Sequence, residues 1–474
     1  MATKNGEPQD ETTKLKVSKP LSFLPPEIFN VASSLEHLDL SGTGLSTLPE
    51  DFGRLKKLKI AFFSDCNFSV FPKQLASCPE LEMVAFRSNK MTKIPEDSLP
   101  PRLRWLILTN NRIEALPESI GRCSRLQKCM LAGNHLRRLP DEMAACRKLG
   151  LLRLSANRIQ ELPNWLFELP ELAFLSFAGN PCCSLPTTKD ARVTTPSSFL
   201  PEVSWEDLDV HDLLGEGASG VISKGLWNGI DQTQEVAIKL FKGDVTSDGT
   251  PADEMHACMR AGLHANLIDP LGKIRDHPEK EGLVMQLIPP RYRTLGLPPS
   301  LQSCTRDCFS HEIRLTTRQG LRILRGVADA AAHLHERGVL HGDLYAHNIL
   351  YDDKDGHALL GDFGAASIYG GTKHDKVEQL EVLAFAHLIE DVWSITRPNL
   401  QLDEAELRVA MLLAALHRQC SNPIGPERPS FGEIRRQLSM DQRLAADTID
   451  TIDTVDTADT AFNDTPTLAA TSIV

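Results

Sequence analysis

The sequence predicts an α/β solenoid of short repeats followed by a second, separate globular domain. A leucine pattern recurs through the first 180 residues, stops after Pro181, and gives way to a Thr-, Ser- and Pro-rich stretch before new apolar runs begin. The 474 residues are also more than one hydrophobic core usually supports. We therefore expect a disordered N-terminus at 1–20, the solenoid at 21–185, a linker at 186–204, the second domain at 205–440 and a disordered acidic tail at 441–474.

Composition and charge exclude several classes of function. Hydrophobic residues make up 41% and charged residues 24% of the chain, which is typical of globular proteins that bury a sizeable core. The net charge is −12, and residues 441–474 supply −6 of it with seven Asp and one Arg. Because no basic stripe is left, we expect no binding to nucleic acid. No run of apolar residues is long enough to span a membrane, so no membrane span is expected.

The N-terminus and the cysteines indicate a cytoplasmic location. The first residues, MATKNGEPQDETTKLK, lack the apolar segment of a secretory signal. The eleven cysteines are an odd number scattered along the chain, so we expect a reducing compartment that keeps them as thiols.

The repeat has the form L-x-x-L-x-L-x-x-N-x-L-x-x-L-P. This pattern resembles the leucine-rich repeat family of intracellular type, in which each unit is a short strand, a turn and a return segment that cannot bury its leucines alone. We therefore expect seven or eight units stacked into a curved solenoid. Side-chain amides should satisfy the turn backbone in five units, with Cys66 in that place in the second unit. The seven registers start at Leu35, Leu58, Leu81, Leu103, Leu126, Leu149 and Leu172, and the five amides belong to Asn89, Asn111, Asn134, Asn157 and Asn180.

The repeat register also places most cysteines of the first half. Cys78, Cys123 and Cys146 fall where other units carry leucine, and Cys129 takes a strand-core position. We interpret them as small core hydrophobes and not as metal ligands.

The outward strand positions of the concave face are mostly apolar. Such a stripe would be costly in water, so it indicates a contact surface for a protein substrate or regulator, or for the second domain of this chain. An apolar face without any partner is the alternative. The residues are Ile60, Phe62, Met83, Trp105, Ile107, Met130, Leu151 and Phe174.

The second half carries four motifs in a fixed order. LLGEGASGVISKGLWNG is followed by EVAIKLF, then by HGDLYAHNILYD at 341–352 and GDFGAAS at 361–367. Together these motifs resemble the eukaryotic-type protein kinase family over roughly 235 residues from Trp205 to Met440. The resemblance implies an α+β bilobal protein-kinase-like domain after the α/β leucine-rich repeat solenoid, with ATP and Mg²⁺ as ligands.

The resemblance also implies a nucleotide site. Lys239 would hold the α- and β-phosphates, with Glu254 as its partner and Asp253 as the second choice. Met285 would be the gatekeeper beside the adenine. The glycines that would let the backbone close over the phosphates are Gly215, Gly217 and Gly220, and the side chains that would enclose the adenine are Val221, Ala237 and Leu350.

By the same resemblance, three residues would serve phosphoryl transfer directly. Asp343 would orient and deprotonate the acceptor hydroxyl. Asn348 and Asp362 would supply the oxygen ligands that Mg²⁺ prefers.

The chain departs from the family in its catalytic loop. Gly342 stands where many protein kinases carry the Arg that receives an activation-loop phosphate, so control by that phosphate is not expected. Tyr345 and His347 replace residues that mark acceptor specificity. We expect transfer to Ser or Thr more than to Tyr, although no motif decides between these acceptors.

A second departure follows GDFGAAS. Glu381 replaces the usual Asp of a long C-lobe helix, only nineteen residues after Asp362, and no APE motif is present. Arg428 in GPERPSF still matches the Arg that normally pairs with the Glu of APE. The segment that builds a peptide platform in the family is therefore short.

Three functions remain open at this point. The favoured hypothesis is a protein kinase whose solenoid selects or regulates the substrate. A small-molecule phosphotransferase similar to aminoglycoside or choline kinases is favoured by the short segment. In a pseudokinase or scaffold, the solenoid alone would do the work.

Overall fold

The computed structural model describes residues 12–183, 200–217, 219–229, 232–242, 245–370, 374–396 and 403–439. These residues form a solenoid and a C-terminal domain. The predicted disordered tail at 441–474, residues 1–11 and most of the predicted linker lie outside the described residues.

The solenoid is built on one parallel sheet of eight three-residue strands. The central residue of each of the last seven strands is fully or almost fully buried, as the repeat register predicts. The return segments are single 3-10 turns, as at Glu118–Arg122 and Asp141–Ala145. The strands are β1 Lys14–Lys16, β2 His37–Asp39, β3 Ile60–Phe62, β4 Met83–Ala85, β5 Trp105–Ile107, β6 Lys128–Met130, β7 Leu151–Arg153 and β8 Phe174–Ser176.

Buried asparagines join consecutive turns of the solenoid. The side-chain amide of Asn134 donates to Leu108 O at 2.9 Å and Leu131 O at 3.0 Å, and its oxygen accepts from Ile113 N at 3.0 Å. The other four asparagines bond in the same way, and the Cys66 thiol donates to Leu40 O at 3.3 Å. The predicted role of these side chains is confirmed.

The solenoid begins earlier than expected. Residues 1–20 were predicted to be disordered, but Lys14–Lys16 pair in parallel with His37–Asp39. The edge of β2 would otherwise leave unpaired backbone groups, and β1 covers them.

The C-terminal domain has a β-rich and a helical lobe. Its main sheet has the order β10-β11-β12-β14-β13-β9, and two smaller sheets pair β15-β17-β18 and β16-β19. The strands are β9 Glu202–Ser204, β10 Leu208–Glu216, β11 Gly220–Asn228, β12 Thr233–Phe241, β13 Pro270–Arg275, β14 Gly282–Gln286, β15 Tyr292–Thr294, β16 Val339–Leu340, β17 Ile349–Asp352, β18 Ala358–Leu360 and β19 Ser367–Ile368.

The boundary between linker and domain also needs a correction. The linker was predicted to run to residue 204, but Glu202–Ser204 pair in parallel with Lys273–Arg275 at the edge of the main sheet. This strand is too short to show an alternating pattern in the sequence.

The described residues contain five α-helical segments. Four of them are α1 Pro251–Ala261, α2 Thr317–Glu336, α3 His374–Ile395 and α4 Glu404–Cys420, and the fifth covers residues 431–439. Thr316 with Gln319, and Asp403 with Glu406, form capping boxes at the starts of α2 and α4. Within the described residues, no helix is both long and apolar enough to cross a membrane.

The two units share hydrophobic cores. Leu151 and Phe174 of the solenoid belong to the main core of the C-terminal domain. Leu340, Tyr369 and Leu380 of the C-terminal domain belong to the solenoid core. The concave face of the solenoid is therefore packed against the second half of the same chain.

Candidate active site

A cavity of about 450 Å³ lies between the main sheet and the helical lobe. Ala237 on β12, Met285 on β14 and Leu350 on β17 form apolar walls. Of the residues predicted for the nucleotide and its metal, eight line this cavity: Gly217, Gly220, Ala237, Lys239, Glu254, Met285, Leu350 and Asp362.

Lys239 and Glu254 form a buried ion pair across this cavity. Lys239 is on β12, Glu254 is on α1, and their side chains are in direct contact. Burial alone lowers the pKa of Lys239, but Glu254 and Asp362 outweigh it, and the pKa is raised. Burial raises the pKa of Glu254 despite the lysine. The second choice, Asp253, accepts instead from the Thr250 hydroxyl at 2.7 Å.

Two predicted nucleotide residues lie elsewhere. Val221 does not line the cavity, whereas Ile222 does. Successive strand residues face opposite sides of a sheet, so a shift of one residue along β11 moves the side chain to the other face. Gly215 is also outside the cavity lining, and its neighbour Leu214 is part of it.

The loop at 341–348 brings Asp343 and Asn348 together. The Asn348 amide donates at 2.9 Å both to Asp343 O and to Asp343 Oδ2. Its side-chain oxygen is thus left for another ligand.

Glu381 of α3 holds this loop from beneath. It accepts from Gly342 N at 2.7 Å and His341 N at 3.3 Å, and it pairs with His335 Nε2 at 2.8 Å. Burial raises the pKa of Glu381, but His335 outweighs this effect and the pKa is lowered. The longer Glu therefore anchors the loop in the place of the expected Asp.

Asp362 completes the polar end of the cavity. Its backbone has the left-handed φ of 58°, and its Oδ1 accepts from Gly364 N at 3.1 Å. The side chain is exposed to the cavity, so an oxygen remains free to bind a cation. Carboxylate and amide oxygens suit Mg²⁺, which takes few protein ligands and several from phosphates and water. The oxygen donors of Asn348 and Asp362 fit this ion by type, but only Asp362 is part of the cavity lining.

Comparisons with known proteins agree with this geometry. A family model described as "Protein tyrosine and serine/threonine kinase" matches residues 208–387, and leucine-rich repeat models match residues 34–55 and 101–159. The chain carries leucine-rich repeats and a protein kinase domain. We use the term kinase domain for the C-terminal domain from here on.

Relatives are similar mainly over the kinase domain. Kinase suppressor of Ras 2 from Homo sapiens is 27% identical over 220 residues, which cover 44% of this chain and 21% of that protein. The probable serine/threonine-protein kinase gdt4 of Dictyostelium discoideum is 27% identical over 282 residues, covering 50% and 16%. The L-type lectin-domain containing receptor kinase V.5 of Arabidopsis thaliana is 33% identical over 160 residues, covering 33% and 22%. The chain thus matches about a fifth of the length of these relatives.

Arg153 of the solenoid contacts the loop at 341–348. Its Nη2 contacts Asp343 Oδ1, and its Nη1 donates to Gly342 O at 2.7 Å. Its Nε lies 2.8 Å from Asp248 Oδ1, an ion pair with an angle unsuited to a hydrogen bond. Burial lowers the pKa of Arg153, but Asp343 and Asp248 outweigh it, and the pKa is raised.

Aromatic and backbone contacts extend this interface. The ring of Phe174 stacks on Tyr345 with centroids 3.8 Å apart and planes 9° apart. Trp105 Nε1 donates to Cys304 Sγ at 2.6 Å, and Phe177 N donates to Ser367 Oγ at 2.9 Å.

The predicted concave stripe is therefore in part an internal interface. Four of its residues pack against the kinase domain, namely Trp105, Met130, Leu151 and Phe174. Of the other members, Met83 is buried, while Ile60, Phe62 and Ile107 are half-buried. Of the two occupants considered for this face, the second domain of the chain is the one in place.

Gly342 explains one departure from the family. It has a φ of +76°, and a Cβ there would lie 2.5 Å from Leu175 O of β8 and 2.8 Å from Ala365 O. A side chain at this position would push the solenoid away from the loop.

The short activation segment leaves Arg428 with carbonyl partners. Its Nε donates to Asn422 O at 2.8 Å and its Nη1 to Gln379 O at 2.9 Å. Burial lowers the pKa of Arg428 to about 10.

Sequence reasoning missed Asp248 and the role of Arg153. Asp248 lies in a TSDGT loop with no motif around it, and Arg153 occupies an outward strand position of the concave face that is not part of the apolar stripe. The available signal was one arginine at an outward strand position among mostly apolar neighbours.

Proposed function

We propose that the protein is an ATP-dependent protein kinase that transfers the γ-phosphate to protein Ser or Thr hydroxyls, with the solenoid as a protein-interaction module. The observation that carries the proposal is the convergence of Lys239, Glu254 and Asp362 on one cavity. Asp343 is linked to that cavity through Arg153 and Asp248, which itself lines it.

Each residue has a place in nucleotide binding. ATP and Mg²⁺, when bound, supply the phosphoryl group and the charge that neutralises it. Lys239, held by Glu254, would bind the α- and β-phosphates, with the backbone of Gly217 and Gly220 beside them. Asn348 and Asp362 would hold the metal through their side-chain oxygens. The apolar lining that would enclose the adenine consists of Ile222, Ala237, Met285 and Leu350.

Asp343 orients the acceptor hydroxyl and takes its proton. Burial raises its pKa, but Arg153, His347 and His341 outweigh this effect, and the pKa is lowered. Asp343 is therefore ionised at neutral pH, as a proton acceptor must be.

Two further points support this assignment. The Dictyostelium relative is named a probable serine/threonine-protein kinase, which favours Ser and Thr as acceptors. All eleven cysteines are free, which favours a reducing, cytoplasmic location.

The test uses the full chain with Mg²⁺, labelled ATP and a mixed protein substrate. Asp343→Asn and Lys239→Met should each lower phosphate transfer about 100-fold or more, because charge placement is removed while packing is kept. Asp355→Asn, on an exposed carboxylate paired with Arg322, should leave transfer unchanged. Undiminished transfer in both site variants, or no heat of ATP binding in calorimetry, would contradict the proposal.

A scaffold function is the second candidate. It is favoured by the engagement of both carboxylate oxygens of Asp343, one by Arg153 and one by Asn348. A scaffold would bind nucleotide or a partner protein without transfer in any variant. Transfer to an aminoglycoside or choline, and not to protein, would instead indicate a small-molecule phosphotransferase.

A further inference from the structure

We propose that the solenoid inhibits the kinase domain in cis, with its concave face on the protein-substrate side of the active site and Arg153 in the place where the acceptor hydroxyl would be positioned. This inference rests on the proposed function and adds its regulation.

The first step concerns the carboxylate of Asp343. Its Oδ1 contacts Arg153 Nη2, and its Oδ2 accepts from the Asn348 amide at 2.9 Å. A general base must have an oxygen within hydrogen-bond reach of the proton that it removes. The Arg153 side chain is only 2% exposed and that of Asp343 is 17% exposed, so the arginine occupies the oxygen that a substrate hydroxyl would have to contact.

The second step concerns access along the catalytic loop. Phe174 covers the ring of Tyr345, two residues after Asp343. The carbonyl of Leu175 lies against Gly342, and Phe177 N bonds Ser367 beyond the Asp362 turn. A peptide substrate would need this same side of the loop, which strand β8 already occupies.

The third step is that the solenoid contacts both lobes. In the β-rich lobe, Arg153 pairs with Asp248, and the Ser176 hydroxyl donates to Asp248 O at 3.1 Å. In the helical lobe, the same β7 and β8 strands contact Asp343 and Tyr345. The solenoid therefore fixes the angle between the lobes as well as covering the acceptor side.

The fourth step is that docking buries polar groups away from water. The Tyr345 hydroxyl is buried and, within the described residues, has no hydrogen-bond partner. Lys128 is buried against the Trp105 ring at 4.4 Å, and burial lowers its pKa. These groups regain water when the solenoid separates, which favours opening. A protein that binds the concave face would compete with the kinase domain for it and shift the population to the open state.

The experiment compares full-chain variants on a generic protein substrate such as casein. Arg153→Ala and Phe174→Ala should each raise kcat/KM about 10-fold, within the range of coupling between sites. Arg158→Ala, an exposed arginine in the same repeat, is the matched control and should change nothing. Adding Asp343→Asn to Arg153→Ala should abolish the gain, and circular dichroism checks that each variant is folded.

Two outcomes would overturn the inference. A fall in kcat/KM with Arg153→Ala would show that the arginine serves transfer, and unchanged kcat/KM in both variants would show that docking does not limit it. Trp105→Ala, at the Cys304 contact two strands away from Arg153 in the sheet, is a second way to loosen the interface and should also raise kcat/KM.

Hydrogen exchange separates this inference from the proposed function. Amides of residues 340–347 should exchange faster in Arg153→Ala and Phe174→Ala than in Arg158→Ala. Faster exchange without transfer in any variant would mean that the docking is right and the kinase function is wrong. Transfer without any change in exchange or rate would mean that the function is right and the cis inhibition is wrong.

Discussion

Glu381 shows how one substituted residue keeps the function of its position. The sequence placed it on a long helix of the helical lobe, where the family carries Asp. The structure shows that its carboxylate bonds Gly342 N and His341 N and pairs with His335, all in a buried site. These partners lie about 40 residues away along the chain, so spacing alone did not predict them.

Removing this carboxylate should destabilise the protein strongly. Glu381→Ala leaves His335 and two loop amides without their acceptor, and we expect a loss of about 3–5 kcal/mol in the free energy of unfolding. Glu390→Ala on the same helix removes a largely exposed partner of Arg306 and should cost about 1 kcal/mol or less. Urea denaturation measures both, and equal losses would show that Glu381 has no special role.

At the scale of elements, the solenoid strands followed from the sequence. The repeat spacing fixed which strand residues are buried, because a side chain that is one residue out of register would face the other side. The strand Lys14–Lys16 was missed because it carries no repeat pattern and exists through pairing with its neighbour. The same reasoning accounts for Val221, where a shift of one residue on β11 exchanged it with Ile222.

The buried asparagines that join consecutive turns, which we call the asparagine ladder, should each stabilise the solenoid through several hydrogen bonds. Asn134→Ala leaves Ile113 N buried without its acceptor and removes one of two amide donors from each of Leu108 O and Leu131 O, which still accept from Asn111 and Asn157. We expect a loss of about 1–3 kcal/mol in stability. Asn134→Cys should cost less, because Cys66 makes a comparable bond to Leu40 O. The exposed Asn67→Ala is the control, expected within about 0.5 kcal/mol. Chemical denaturation with no difference between Asn134→Ala and Asn67→Ala would contradict the ladder.

At the scale of the whole molecule, the sequence predicted both domains and gave the concave face as a surface where the second domain could dock, but it did not predict which residues meet there. Motifs that are local to one turn or strand predicted Lys239 and Asp362, and Glu254 followed as the candidate partner of Lys239 on the next helix. Arg153 and Gly342 are 189 residues apart in the chain, and no pattern in either segment predicts the contact between them. Gly342 was understood from the sequence as the loss of a phosphate contact, whereas the structure shows a close approach to β8.

The docked arrangement has one consequence for stability. Because the two domains share hydrophobic cores, they should unfold together and not as independent units. The interface between Arg153 and Asp343 should then be measurable as a coupling energy in the unfolding of the full chain.

A double-mutant cycle on Arg153 and Asp343 tests the central claim most directly. The free energy of unfolding is measured for the wild type, Arg153→Ala, Asp343→Ala and the double variant, with Arg158→Ala and Asp343→Ala as the control pair. We expect a coupling energy of about 1–3 kcal/mol for Arg153 with Asp343 and additivity within about 0.5 kcal/mol for the control. Additive effects for both pairs would mean that the solenoid does not hold Asp343.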